Sequence, residues 1–182
     1  MVAICLLRGV NVGGNHKIKM EALRAILAGQ GLERVETFIQ SGNAVFATRE
    51  KKLPLLAARL ESAIEEQCGF RPPVVLRSLA EMRAVVQRNP FAGRKDLDPA
   101  KLLVTFFPRT PSAEERELVL AVPVGPEELH LHGAETFVYF PDGMGQSKFP
   151  AAKIGRITGP GTGRNWNTVL KLLEMAEATA AS

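Results

Sequence analysis

The chain has 182 residues, 46% hydrophobic and 23% charged, with 23 basic against 19 acidic side chains and a formal charge of +4. Those proportions exclude a disordered chain, which combines low hydrophobicity with high net charge, and two cysteines exclude a disulfide scaffold. No apolar run of about 18 residues reads as a bilayer span. The start lacks a basic segment and meets Arg8 soon after its apolar run, unlike a signal peptide, so a cytoplasmic protein is expected.

Val2–Arg8 is a short run rich in branched residues and reads as a buried strand. Gly9 through Lys19, with three glycines and two asparagines, is loop chemistry. Leu23 and Leu27 recur from Met20 at helical spacing, with Ile26 beside them, so the pattern predicts a helix over 20–30. Arg34–Gln40 and Asn43–Thr48 form a predicted hairpin around Ser41-Gly42. A helix over 53–68 carries Pro54 in its first turn, where proline is tolerated, and ends at Gly69. Val74–Arg77 is a strand. Ser78 and Glu81 make a capping box that opens a helix to Arg88.

Residues 89–100 read as a connector with two prolines and a Gly-Arg-Lys turn. Lys101–Phe107 is a strand, Ser112 and Glu115 cap a helix over 112–121, and strands at Glu128–His132 and Thr136–Phe140 flank Gly133-Ala134. Ser147–Ile157 contains a short helix interrupted by Pro150. Gly159–Gly163 reads as loop. Asn165 caps a final helix on which Trp166, Leu170 and Leu173 share a face, with an alanine-rich tail after Ala176 expected to fray.

In order, the elements are β-α-β-β-α-β-α and then β-α-β-β-α-α. This predicts an α+β fold of two ferredoxin-like βαββα(β) units, antiparallel sheets with helices packed on one face, the second unit lacking a clear final strand. The expected division is 1–88 with an extra helix, a connector at 89–100, and 101–182 with the C-terminal helix.

The small net charge is unevenly placed. Residues 1–20 carry Arg8, Lys17 and Lys19 without a carboxylate, and 143–173 carry Lys148, Lys153, Arg156, Arg164 and Lys171 without one. Both stretches are rich in glycine and lead into helices. Gly9, Gly13 and Gly14 permit positive φ, so successive N–H groups can face one anion. Arg164 and Asn165 repeat that chemistry before the last helix. The spacing matches neither a Walker loop nor a dinucleotide fingerprint, and no cofactor is expected.

The candidate ligand-binding residues are therefore Arg8, Asn11, Gly13, Gly14, Lys17, Gln40, Ser41, Asn43, Lys148, Arg164 and Asn165. Lys148 is the single side chain best suited to an anion. As a nucleophile Ser41 would need a base, with His16 in the neighbouring basic loop the one candidate. His130 and His132 share a strand face without a third ligand at metal-site spacing, so no metal is expected. Trp166 reads as a core anchor. Neither Cys5 nor Cys68 has Cys-x-x-Cys company, and both read as inert.

Four ordered motifs also carry a resemblance: Leu6-Leu7-Arg8-Gly9-Val10-Asn11-Val12-Gly13-Gly14, Gln40-Ser41-Gly42-Asn43, the run from Tyr139 to Lys148, and the run from Thr162 to Val169. They resemble the bacterial family known as domain of unknown function 1697. The resemblance spans nearly the whole chain and implies a small cytoplasmic α+β protein. It carries over no catalytic assignment.

The residues thus support binding of a small phosphate- or carboxylate-bearing ligand at glycine-rich basic loops, with the reaction, if any, and the oligomeric state left open. A module binding RNA is the alternative, since ferredoxin-like units resemble RNA-recognition motifs and Phe137-Val138-Tyr139-Phe140 echoes an aromatic binding strand. A scaffold without ligand is the third reading. No membrane partner is expected.

Overall fold

The computed structural model of the chain describes residues 1–14 and 16–181. They divide into two compact units, Met1–Ala84 with Lys171–Ser182, and Val85–Leu170. The segment read as a connector, 89–100, lies inside the second unit.

In the first unit β1 (Val2–Leu7) is buried at all six positions. It lies at the centre of a four-stranded sheet with β2 (Glu33–Phe38), β3 (Asn43–Ala47) and β4 (Val74–Ser78), in the order β2-β3-β1-β4. Every pairing is antiparallel. Inserting β3 between β1 and β2 is the ferredoxin-like arrangement. Ala3, Cys5 and Leu7 project from one face of β1 into a core with α1 (Met20–Gly29) and α2 (Leu53–Cys68), through Leu23, Leu27 and Leu60. Burial of each such leucine contributes roughly 1.5–3 kcal/mol. Helix α2 stops where Gly69 turns left-handed at φ 74° and donates its N–H to the Glu65 carbonyl. Strand β2 carries an irregularity between Glu33 and Glu36, where Arg34 has φ 52°.

Helix α3 (Leu79–Gln87) opens with the expected capping box: Glu81 N–H donates to Ser78 Oγ at 3.2 Å, and Ser78 N–H donates to the Glu81 carboxylate at 2.7 Å. In the second unit β5 (Leu102–Phe106), α4 (Ala113–Leu120), β6 (Glu128–His132), β7 (Glu135–Tyr139), α5 (Ala151–Thr158) and β8 (Thr162–Asn165) follow in chain order. The sheet order is β6-β7-β5-β8, again all antiparallel. Phe107, Val119, Leu131 and Ile154 form a core between this sheet and its helices.

The second unit is therefore complete, and the expectation that it lacks a final strand is corrected. Strand β8 occupies what reads as the end of a glycine loop. Its short sequence Thr-Gly-Arg-Asn has no apolar alternation, so it carries no strand signal. Gly163 and the preceding Gly161 serve close approach: a Cβ on Gly161 would lie 2.6 Å from Thr105 Cγ2, and one on Gly163 would lie 3.3 Å from Leu103 Cδ1.

The last helix, α6 (Trp166–Ala181), also continues past the point where fraying is expected. Ala176 and Thr179 are buried, and Arg34 donates to the Thr179 carbonyl at 2.6 Å. Packing of the tail outweighs the terminal tendency to fray.

Candidate functional site

The first-unit candidates gather at one end of its sheet. The chain leaves β1 through Arg8 and Gly9, while Leu7 N–H donates to the Gly42 carbonyl of the β2–β3 turn at 2.8 Å. Asn11 holds the loop over that turn, its Nδ2 donating to the Ile18 carbonyl at 2.9 Å and the Gln40 carbonyl at 2.7 Å. Its Oδ1 accepts from Ile18 N–H at 2.9 Å. Asn11, Gly13, Gly14 and His16 all have positive φ, between 51° and 81°. The loop is thus built from repeated left-handed turns, the conformation in which backbone amides can converge on an anion.

Gly13, Gly14 and Lys17 are exposed on this loop, and Arg8 is exposed at its start. Among the described residues no carboxylate forms an ion pair with Arg8, Lys17 or Lys19. Lys19 is the N-cap of α1 and supplies no side-chain cap, so the helix offers its first amides to the same region.

The polar residues of the turn have structural partners. Asn43 is fully buried and its Nδ2 donates to Ser41 Oγ at 2.8 Å and to the Phe38 carbonyl at 3.1 Å. Gln40 is exposed, and its carbonyl takes the bond from Asn11. The His16 ring stacks on Phe70 with centroids 4.7 Å apart.

The second-unit candidates are placed differently from their linear pattern. Arg164 lies within β8 opposite Val104 and is only 8% exposed. Its guanidinium donates to Thr162 Oγ1 at 2.7 Å and to the Gly163 carbonyl at 2.8 Å. Asn165 does cap the last helix, Oδ1 accepting from Asn167 N–H at 3.0 Å, while its Nδ2 donates to the Ala100 carbonyl at 2.7 Å. Lys148 is exposed at a cleft of about 440 Å³ whose lining also includes Glu127, Asp142, Gln146 and Ser147. Glu127 is 8% exposed and accepts the Ser147 hydroxyl.

The acid-free stretch 143–173 therefore meets carboxylates in space, brought to Lys148 by the segment before β6 and the turn after β7. Glu127 has no sequence signal for this role, because the first of two glutamates after Pro126 looks like any turn residue.

His130 and His132 share the expected face with ring centroids 6.4 Å apart, and His130 meets Phe91 edge-on at 5.1 Å. Burial, then the neighbouring His130, Arg116 and Arg88, push the His132 imidazole below its ordinary pKa. Among the described residues no group of three or more His, Cys, Asp or Glu could hold a metal ion. Cys5 is buried in β1, and burial pushes the Cys68 thiol upward. Trp166 packs at 6.5 Å from Phe137, and every residue of β7 is buried.

A family model described as protein of unknown function (DUF1697) matches residues 1–137. Among solved structures, the conserved bacterial protein SP0830 from Streptococcus pneumoniae is similar at 26% identity with a TM-score of 0.76. The similarity covers 96% of this chain and 98% of that one. No curated protein matches the chain.

Proposed function

The chain belongs to the DUF1697 family, and on that premise we propose that it binds a small phosphate- or carboxylate-bearing anion at Arg8, Asn11, Gly13, Gly14 and Lys17. The observation that carries this reading is the coincidence of left-handed backbone with cations that have no carboxylate partner. Left-handed turns direct amides outward, and nearby cations without partners attract an anion at little desolvation cost. Asn11 supports the reading indirectly, by fixing the loop shape. Lys148 remains a secondary anion contact in the second unit, beside carboxylates that weaken its field.

The first loop carries more of the argument than the second, because Arg164 is buried and its guanidinium is bonded within its own strand. RNA is the weaker reading. A sheet that stacks bases needs exposed aromatic rings, whereas Phe137, Tyr139 and Phe140 are buried. A cytoplasmic location belongs to the same proposal, and free cysteines suit a reducing compartment. No helix among the described residues is long and apolar enough to cross a membrane.

Thermal denaturation in orthophosphate, pyrophosphate and citrate at matched ionic strength tests the proposal. A bound anion at a hundred times its Kd stabilises the fold by about 2.7 kcal/mol. The expected result is a raised melting temperature in at least one anion, lost in the doubly substituted chain Arg8→Ala with Lys17→Ala. Equal shifts in both proteins, or none in either, overturn it. Salt-sensitive binding of a short RNA that survives both substitutions would put the RNA reading in its place.

A further inference from the structure

The second unit contains a separate cavity of about 200 Å³, walled by Phe91, Leu97, Leu102, Tyr139 and Trp166. Tyr139 and Trp166 are the chain's single tyrosine and single tryptophan, and they are 7% and 8% exposed. The Phe91 and Tyr139 rings lie 5.9 Å apart with a 45° tilt. Three aromatic side chains thus line one small chamber.

The chamber also presents hydrogen-bonding groups. Tyr139 Oη accepts from the Asp98 N–H at 3.3 Å. Among the described residues its own O–H donates to no protein group, and neither does the Trp166 indole N–H. No buried side-chain nitrogen or oxygen among the described residues lacks a partner, so the indole N–H is open to solvent, and with the phenol it offers donors to an acceptor-bearing guest.

Charge narrows the guest further. Arg94 at the rim lies 5.8 Å from the Phe91 centroid, held by Asp96 at 3.1 Å and Glu128 at 2.7 Å. Asp98 is the one carboxylate among the lining residues. With Arg94 engaged by Asp96 and Glu128, the lining offers no unpaired cation to an anion, which separates this chamber from the basic loop of the first unit. Size narrows it again, since an apolar cavity of about 150 Å³ accommodates benzene.

We propose that this cavity is a binding site for an uncharged planar nitrogen heterocycle the size of a pyrimidine base. Its ring packs against Phe91 and Trp166, and its carbonyl or ring-nitrogen acceptors take the Tyr139 O–H and the Trp166 Nε1–H. Flat rings bury their faces well against aromatic walls, and a polar edge satisfies donors that an aliphatic guest would leave without partners.

Because Trp166 is the only tryptophan, its emission reports this cavity directly. Titration of the whole chain with uracil should give a saturable change in Trp166 fluorescence and a raised melting temperature. Tyr139→Phe keeps the ring and removes the donor, so it should weaken uracil at least about tenfold while leaving toluene unaffected, as expected where a single buried hydrogen bond discriminates. Leu97→Phe, which intrudes on the cavity without touching the sheet, should abolish both. Absence of a saturable response to uracil overturns the proposal. So does unchanged uracil affinity in Tyr139→Phe, or uracil binding that survives Leu97→Phe. Binding of toluene alone would show a merely apolar void and overturns it too.

Discussion

Asn11 pairs with Ile18 through both halves of its amide, Nδ2 donating to the Ile18 carbonyl and Oδ1 accepting from the Ile18 N–H, each at 2.9 Å. A side chain thereby closes the first loop much as a neighbouring strand would. Ile18 is buried, so its backbone groups would otherwise lack partners. Asn11 also sits at φ 56°, a region asparagine tolerates better than most residues.

Asn11→Ala should therefore lower stability by about 1–3 kcal/mol, the cost of leaving buried polar groups without partners. Asn11→Asp keeps the acceptor and loses the donors to Ile18 and Gln40, so it should fall between alanine and the parent. Urea midpoints of the three proteins check both statements. An alanine variant as stable as the parent would mean that water replaces all three bonds.

Two glycines in neighbouring loops should respond differently to alanine. Gly42 has φ 74°, and a Cβ there would lie 2.5 Å from Val10 Cγ2 and 2.8 Å from Leu7 Cβ. Backbone strain and overpacking together should cost about 2–5 kcal/mol. Gly13 has φ 60° but nothing within 4 Å of such a Cβ. Its replacement should cost only the strain, about 1–2 kcal/mol. Melting temperatures of the two variants should separate clearly.

The histidine face predicts a pH dependence. The imidazole of His132 is held below its ordinary pKa by burial first, then by His130, Arg116 and Arg88. The folded state thus prefers the neutral ring, while the unfolded chain binds a proton near pH 6.5. The stabilising preference for neutral His132 is fully present above that pH and is lost as pH falls through it. The loss levels off once the folded site also protonates. His132→Gln should flatten the stability profile between about pH 5 and 7. An unaltered slope would remove His132 as its source.

The cap of α4 predicts an acid-resistant contact. Glu115 N–H donates to Ser112 Oγ, and the Glu115 carboxylate accepts from Ser112 N–H. The Arg109 guanidinium beside it holds its carboxyl down to about 2, against an ordinary value of 4.5. The contact is fully formed above the ordinary value and is lost as pH falls toward the lower one. Ser112→Ala should cost about 1 kcal/mol at neutral pH. The Glu115 titration, followed by carbon-13 NMR of its carboxyl group, should lie well below the ordinary glutamate range.

Most elements are legible in the sequence because their signals are local. The stripe of Leu23, Ile26 and Leu27, the boxes at Ser78–Glu81 and Ser112–Glu115, and the turn at Ser41-Gly42 each act within a few residues. Strand β8 was not legible, since Thr162–Asn165 is a strand only by virtue of its pairing with β5. The candidate site was legible in part. Glycine and charge located the Gly9–Lys19 loop, but nothing in the order of residues showed that Asn11 would tie it to Gln40.

By itself the amino-acid order determined the twice-repeated β-α-β-β-α pattern, the helix caps and the absence of carboxylates from residues 1–20. Periodicity, capping and composition are properties of neighbours along the chain. Only the tertiary structure decided that Arg164 is buried in a strand, that Lys148 shares a cleft with Glu127 and Asp142, and that Phe91, Tyr139 and Trp166 share a chamber. Those relationships join residues far apart in sequence, and the sheet registers that bring them together depend on burial of the whole core. A charge pattern read along the chain describes a field only after folding has chosen each charge's neighbours.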